Sequence, residues 1–140
     1  MSSLLFALSN QRLDDVPPFA IARRVGALVS FAGIVRDNNE GKSVTRLEYS
    51  AYQALAEREG TRIVREAIER FDLIAAACCH RVGALELGEV AVRVWAAAAH
   101  RGAAFSACEF TIDQIKERVP IWKKETYCDG EQEWVRCHHP

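Results

Sequence analysis

Apolar residues along this chain recur in some stretches at every second position and in others at every third or fourth, and the changes of period mark its elements. Met1 to Leu8 is a short apolar run that reads as a strand. Gly26 to Val35 (GALVSFAGIV), rich in small and β-branched residues, reads as a strand that runs into a polar loop from Arg36 to Lys42, which leaves Arg36 at a strand end. Val44 to Tyr52 alternates, with Leu47, Tyr49 and Ala51 on one face and Arg46, Glu48 and Ser50 on the other, as a half-buried strand requires. These two strands are expected to pair. From Gln53 to Phe71 the period becomes helical: Ile63, Val64, Ala67, Ile68 and Phe71 share a stripe opposite a charged face.

Leu73 to Val82 and Val90 to Ala99 predict two further strands joined through Gly83 to Glu89 and paired with each other, the second alternating Val90, Val92 and Val94 with Glu89, Ala91 and Arg93. Gly102 to Val119 returns to helical spacing, with Ala104, Phe105, Cys108, Ile112 and Ile115 as its apolar stripe, and Pro120 ends it. Ile121 to Tyr127 and Glu133 to Arg136 then read as short strands around the hairpin signal Cys128-Asp129-Gly130. Two main helices among about seven strands make a mixed α+β domain with a largely antiparallel sheet. Residues 1–140 form one domain, without repeat or linker.

Composition narrows the function classes. Hydrophobic residues make up 49% and charged ones 26% of the 140 positions, ordinary for a globular fold. A net charge of -1 supplies no global positive field, which argues against nucleic acid and anionic membrane as partners. The opening apolar run lacks a charged start and is too short for a signal peptide or membrane span. Five cysteines, Cys78, Cys79, Cys108, Cys128 and Cys137, contain no CxxC pair, so reduced thiols in a cytoplasmic protein are expected. The group Cys128, Cys137, His138 and His139 matches no common zinc spacing; a solvated tail accounts for it better, and no metal is expected.

Two stretches carry candidate chemistry. His100-Arg101 stands at a strand-to-helix junction, where free N–H groups and the positive helix end favour an anion such as phosphate; the alternative is that His100 caps the helix and Arg101 is solvated. Lys116 to Glu125 (KERVPIWKKE) places one lysine in the last helical turn and two just beyond the proline. Here the alternative is that Lys116 only complements the helix C-terminus. Trp122 either walls a dry pocket beside these lysines or belongs to the core.

At these residues the sequence resembles the molybdopterin synthase large-subunit family. Three blocks carry the likeness: Phe31-Ala32-Gly33-Ile34-Val35-Arg36 with its Asn-rich loop and Gly41, His100-Arg101-Gly102-Ala103-Ala104-Phe105, and Lys116 through Glu125. Weaker agreement at Leu47-Glu48-Tyr49 and at His80 to Leu85 extends it from about Pro18 to Val135. The resemblance implies an α/β-hammerhead type of fold and a sulfurtransferase acting in molybdenum cofactor biosynthesis, with no cofactor of its own. A small ubiquitin-like partner with a C-terminal Gly-Gly thiocarboxylate would bring the sulfur to cyclic pyranopterin monophosphate, in a heterotetramer built on a homodimer of this chain. Lys116 and Lys123 would be catalytic. Arg36, His100, Arg101, Lys124, Glu125, Ile34 and Val35 would bind substrate. The family's C-terminal arginine has no aligned equivalent here; Arg136 and His138 are the two candidates for it.

Spacing adds one constraint. His100 and Lys116 lie sixteen positions apart on one helix, roughly 24 Å at 1.5 Å per residue, so one small pocket cannot take both from one chain. The expectation is a site shared between two copies, His100 and Arg101 from one and Lys116 and Lys123 from the other. Two non-catalytic readings compete: a module that binds phosphate, nucleotide or RNA, and a scaffold that only docks the ubiquitin-like partner. Bunched lysines without interleaved aromatics suit a small anion better than a polymer, and retention of both lysines argues against the inactive scaffold.

Overall fold

The computed structural model describes residues 5–136, with the side chain of Arg136 left aside. Its elements are β1 (Phe6–Ser9), β2 (Ala27–Ile34), β3 (Asn38–Asn39), β4 (Lys42–Ala51), α1 (Gln53–Arg70), β5 (Ala75–Arg81), β6 (Gly83–Leu85), β7 (Val90–Ala98), α2 (Arg101–Arg118), β8 (Ile121–Tyr127) and β9 (Gln132–Arg136). One sheet has the order β1-β5-β7-β2 and the other β3-β4-β8-β9, with β6 on β4. Among the described residues only β1 and β5 run parallel; the remaining pairs are antiparallel. The mixed α+β class and the two helices agree with the sequence pattern. Residues 1–4 of the opening strand lie outside the described residues, as do Cys137, His138 and His139 of the tail.

The expected pairing of β2 with β4 does not occur. β2 joins β7, Ala27 opposite Ala98 through Ile34 opposite Val90. β4 instead meets β8, Leu47 opposite Glu125 and Tyr49 opposite Lys123. The polar loop between them explains the separation. Glu40 (φ 50°) and Gly41 (φ 83°) form a tight turn with two positive φ angles, which folds Asn38–Asn39 back onto Ser43 and Lys42. β2 thereby ends in the first sheet, and the β3–β4 hairpin starts the second.

Two burial patterns also differ from expectation. β7 is the centre of its sheet, covered on both faces, so Ala91 is buried as deeply as Val92 and Val94. On α2 the face toward the sheet is Ala104, Ala107, Cys108, Thr111 and Ile115, whereas Phe105 is 60% exposed. Small residues let this helix lie close on the alanine-rich end of β7, and the stripe turns accordingly. Arg118 clamps the end of α2 to α1: its guanidinium reaches Glu59 at 2.7 Å and Glu66 at 2.6 Å. Among the described residues no helix is long and apolar enough to cross a membrane.

α1 touches β1 at its one buried glycine. A Cβ on Gly60 would overlap the ring of Phe6, itself 1% exposed and enclosed by the core. Gly60→Ala is expected to destabilise the fold by about 2 kcal/mol, because a packed ring has nowhere to move. Urea unfolding at neutral pH measures this, and an unchanged midpoint would mean that β1 yields.

Candidate active site

A cavity of about 160 Å³ opens where the end of β2, the β3–β4 hairpin, β8 and the last turn of α2 converge. Its lining includes Ile34, Val35, Arg36, Asn39, Tyr49, Lys116, Lys123 and Glu125. Each position has a local cause. A register shift between Gly33 and Ile34 ends the β2 ladder, and the backbone of Val35 bonds instead to the Gly88-Glu89 turn, its N–H donating to Glu89 O and its carbonyl accepting from Gly88 N–H. Val35 is therefore buried, Ile34 is 60% exposed at the mouth, and Arg36 leaves the strand at the surface. Lys116 comes from the last turn of α2, whose path ends at Val119 before Pro120. Lys123 and Glu125 share one face of β8 because side chains alternate along a strand.

Glu125 is 2% exposed, and its neighbours compensate the buried charge. Asn39 Nδ2 donates to its Oε1 at 2.7 Å, the Tyr127 hydroxyl donates to the same oxygen at 3.1 Å, and Lys123 Nζ lies 4.0 Å from Oε2. Arg36, Lys116 and Lys123 thus face a single lining carboxylate, an arrangement that attracts anions.

The other sequence candidates lie elsewhere. Lys124 is on the opposite face of β8, 3.6 Å from Glu48 and above the Trp134 ring. His100 and Arg101 sit exposed at the far end of α2, outside the cavity lining. His100 holds the N-cap position without making a side-chain capping bond. Trp122 is 45% exposed and neither walls the cavity nor joins the core. Among the described residues no three His, Cys, Asp or Glu groups cluster as for a metal. Sequence reasoning missed Asn39, Tyr49 and Tyr127; the alternation of β4 already pointed Tyr49 inward, while nothing local marks Asn39 or Tyr127.

The family model described as MoaE protein matches residues 9–118. The chain belongs to the MoaE family. Relatives named molybdopterin synthase catalytic subunit include one from Thermoplasma volcanium, 41% identical over 86% of this chain and 91% of that protein. Another, from Bacillus subtilis, is 44% identical over 81% of this chain and 71% of its own length. The crystal structure of molybdopterin synthase from Staphylococcus aureus superposes with a TM-score of 0.84 at 33% identity, covering 96% of this chain and 98% of that one. The chain is thus a member of an enzyme family of molybdenum cofactor biosynthesis.

Beneath the MoaE cavity lies a buried histidine. His80 is 1% exposed, its Nδ1 is 2.7 Å from the carbonyl of Arg81, and Tyr49 packs edge-on at 5.0 Å. Burial, and then the nearby Lys116 ammonium, hold its pKa down at about 4 against the hydrogen bond to Arg81. The imidazole is therefore neutral under Lys116 at physiological pH. Burial likewise pushes the thiols of Cys78, Cys79 and Cys108 up, which leaves little thiolate for attack.

Because the folded pKa of His80 is depressed, its contribution is present above the unfolded value and is lost as pH falls from about 6.5 toward 4. Between pH 7 and pH 5 the unfolding free energy should fall by about 2 kcal/mol, and His80→Gln should remove most of that fall. Urea titrations of both proteins at the two pH values check it.

Proposed function

We propose that this chain carries out the sulfur-transfer step of molybdopterin synthesis, taking sulfur from the C-terminal thiocarboxylate of a small partner protein and delivering it to cyclic pyranopterin monophosphate. The carrying observation is the cavity in which Arg36, Lys116 and Lys123 converge on one buried carboxylate. Both reactants are anions, and cations between them offset their repulsion. Lys116 and Lys123 stand at the reacting groups, with Lys123 held by Glu125; Arg36 at the mouth takes the phosphate; Ile34 and Val35 form the apolar wall. The nucleophilic sulfur arrives on the partner, so no cysteine of this chain is required. A protein–protein complex of subunits 1 and 2 of molybdopterin-converting factor from Helicobacter pylori shares the fold, with a TM-score of 0.68 at 22% identity.

The site is completed by a second copy of the chain, which brings His100 and Arg101 to the cavity mouth. Two observations support this. About 160 Å³ is small beside the roughly 300 Å³ and more of ordinary ligand pockets, so one chain does not enclose a phosphorylated pterin. β2 is also an open sheet edge, and with α2 it presents the exposed apolar residues Leu28, Phe31 and Phe105. Lys124, on the outer face of β8, is assigned to the partner protein's surface rather than to the reacting atoms.

Reconstitution with thiocarboxylated small subunit and the cyclic precursor tests this reading. Lys116→Ala should lower turnover by about a hundredfold or more, and full turnover would refute the assignment. Mixing Lys116→Ala with His100→Ala chains should restore about a quarter of wild-type activity, since half of the random dimers then hold one intact site of two. No recovery would refute the shared site.

A further inference from the structure

We propose that Asn39 and Tyr127 are positioning residues that act through Glu125 to fix the Lys123 ammonium in the cavity. This rests on the reading that Lys123 works in sulfur transfer. Lys123, Glu125 and Tyr127 follow one another along a single face of β8, while Trp122, Lys124 and Thr126 take the other. A lysine has four rotatable bonds and no fixed direction by itself. Lys123 is only 14% exposed at its side chain, and its ammonium pairs with Glu125 Oε2 at 4.0 Å. What holds the carboxylate therefore holds the ammonium.

Two donors hold it, both at Oε1: Asn39 Nδ2 at 2.7 Å and the Tyr127 hydroxyl at 3.1 Å. With Oε1 occupied, Oε2 is the oxygen that faces Lys123. The carboxylate cannot rotate without breaking two bonds, and both bonds favour its charged form. The phenol has a second acceptor in reach, Glu133 Oε2 at 3.2 Å, directly across from Glu125 on β9. A phenol has one proton to give, so Asn39 guarantees Glu125 a donor when the hydroxyl turns away. Burial, reinforced by the two carboxylates, raises the Tyr127 pKa well above its usual value, so the hydroxyl keeps its proton throughout the working range. Asn39 reaches Glu125 only because the Glu40-Gly41 turn folds β3 onto β4, which couples the hairpin to the site.

Asn39→Leu and Tyr127→Phe remove one donor each with little change of volume, and the assembled enzyme with saturating thiocarboxylated partner reads the effect. Each variant should lower kcat about tenfold, the scale of a lost hydrogen bond to a charged group, with KM for the precursor changed less than about twofold if ground-state binding is untouched. An effect on KM alone, or unchanged kcat in either folded variant, would overturn the proposal. Should one variant fail to fold, as judged by circular dichroism, the other decides. Lys123→Ala separates the two levels: if it stays active, the reading of Lys123 fails, whereas an inactive Lys123→Ala beside fully active Asn39→Leu and Tyr127→Phe refutes only the positioning role.

Discussion

A carboxylate that is 2% exposed is an expensive group to bury, and the second sheet is arranged around the one at Glu125. It draws a donor from the β3–β4 hairpin, another from its own strand two residues on, and a cation from two residues before. Two elements distant in sequence, the hairpin and β8, are thereby tied at one point. Strand alternation does the rest. Lys123 and Lys124 are chemically identical neighbours, yet one faces the cavity and the other an exposed ion pair with Glu48, which contributes little to stability. The pleat, not the residue type, decides which lysine enters the cavity.

The opposite wall depends on how α2 ends. Lys116 lies in its last turn, where the partial negative charge of the helix terminus favours an ammonium. Arg118, two residues on, reaches across to Glu59 and Glu66 of α1, and this holds the terminus in place. Below Lys116 the structure sets a neutral His80 rather than a carboxylate.

Local pattern revealed most of this architecture. Both helices and the longer strands follow from period alone, and Lys116, Lys123, Glu125 and Arg36 stand where strand ends and a proline-terminated helix would put them. The errors have a common cause, which is that pairing and facing are decided by distant residues. Nothing within β2 or β4 says that each prefers β7 or β8, and the two-residue strand β3 depends on Glu40 adopting a positive φ that its side chain does not advertise. On α2, hydropathy selects Phe105 for the core, but the buried face is instead alanine, cysteine and threonine with Ile115 near the end. Asn39 was legible as a loop residue and no more. Its role exists only once the chain has folded Glu125, 86 positions further on, against it.

The exposed ends of α2 and β2 make sense together once the size of the cavity is considered. Arg36, Lys116 and Lys123 against Glu125 leave a surplus of two positive charges around a space too small to close over a phosphorylated tricycle. A helix of eighteen residues holds its two basic ends too far apart to serve one ligand in one chain. Two copies meeting at the β2 edge about a two-fold axis perpendicular to α2 would run their α2 helices in opposite directions, so that the His100 end of one lies by the Lys116 end of the other. The same contact would cover Leu28, Phe31 and Phe105, the apolar groups that a lone chain leaves in water. Apolar burial and completion of the cationic site would then follow from one interface, with α2 as the element that spans it.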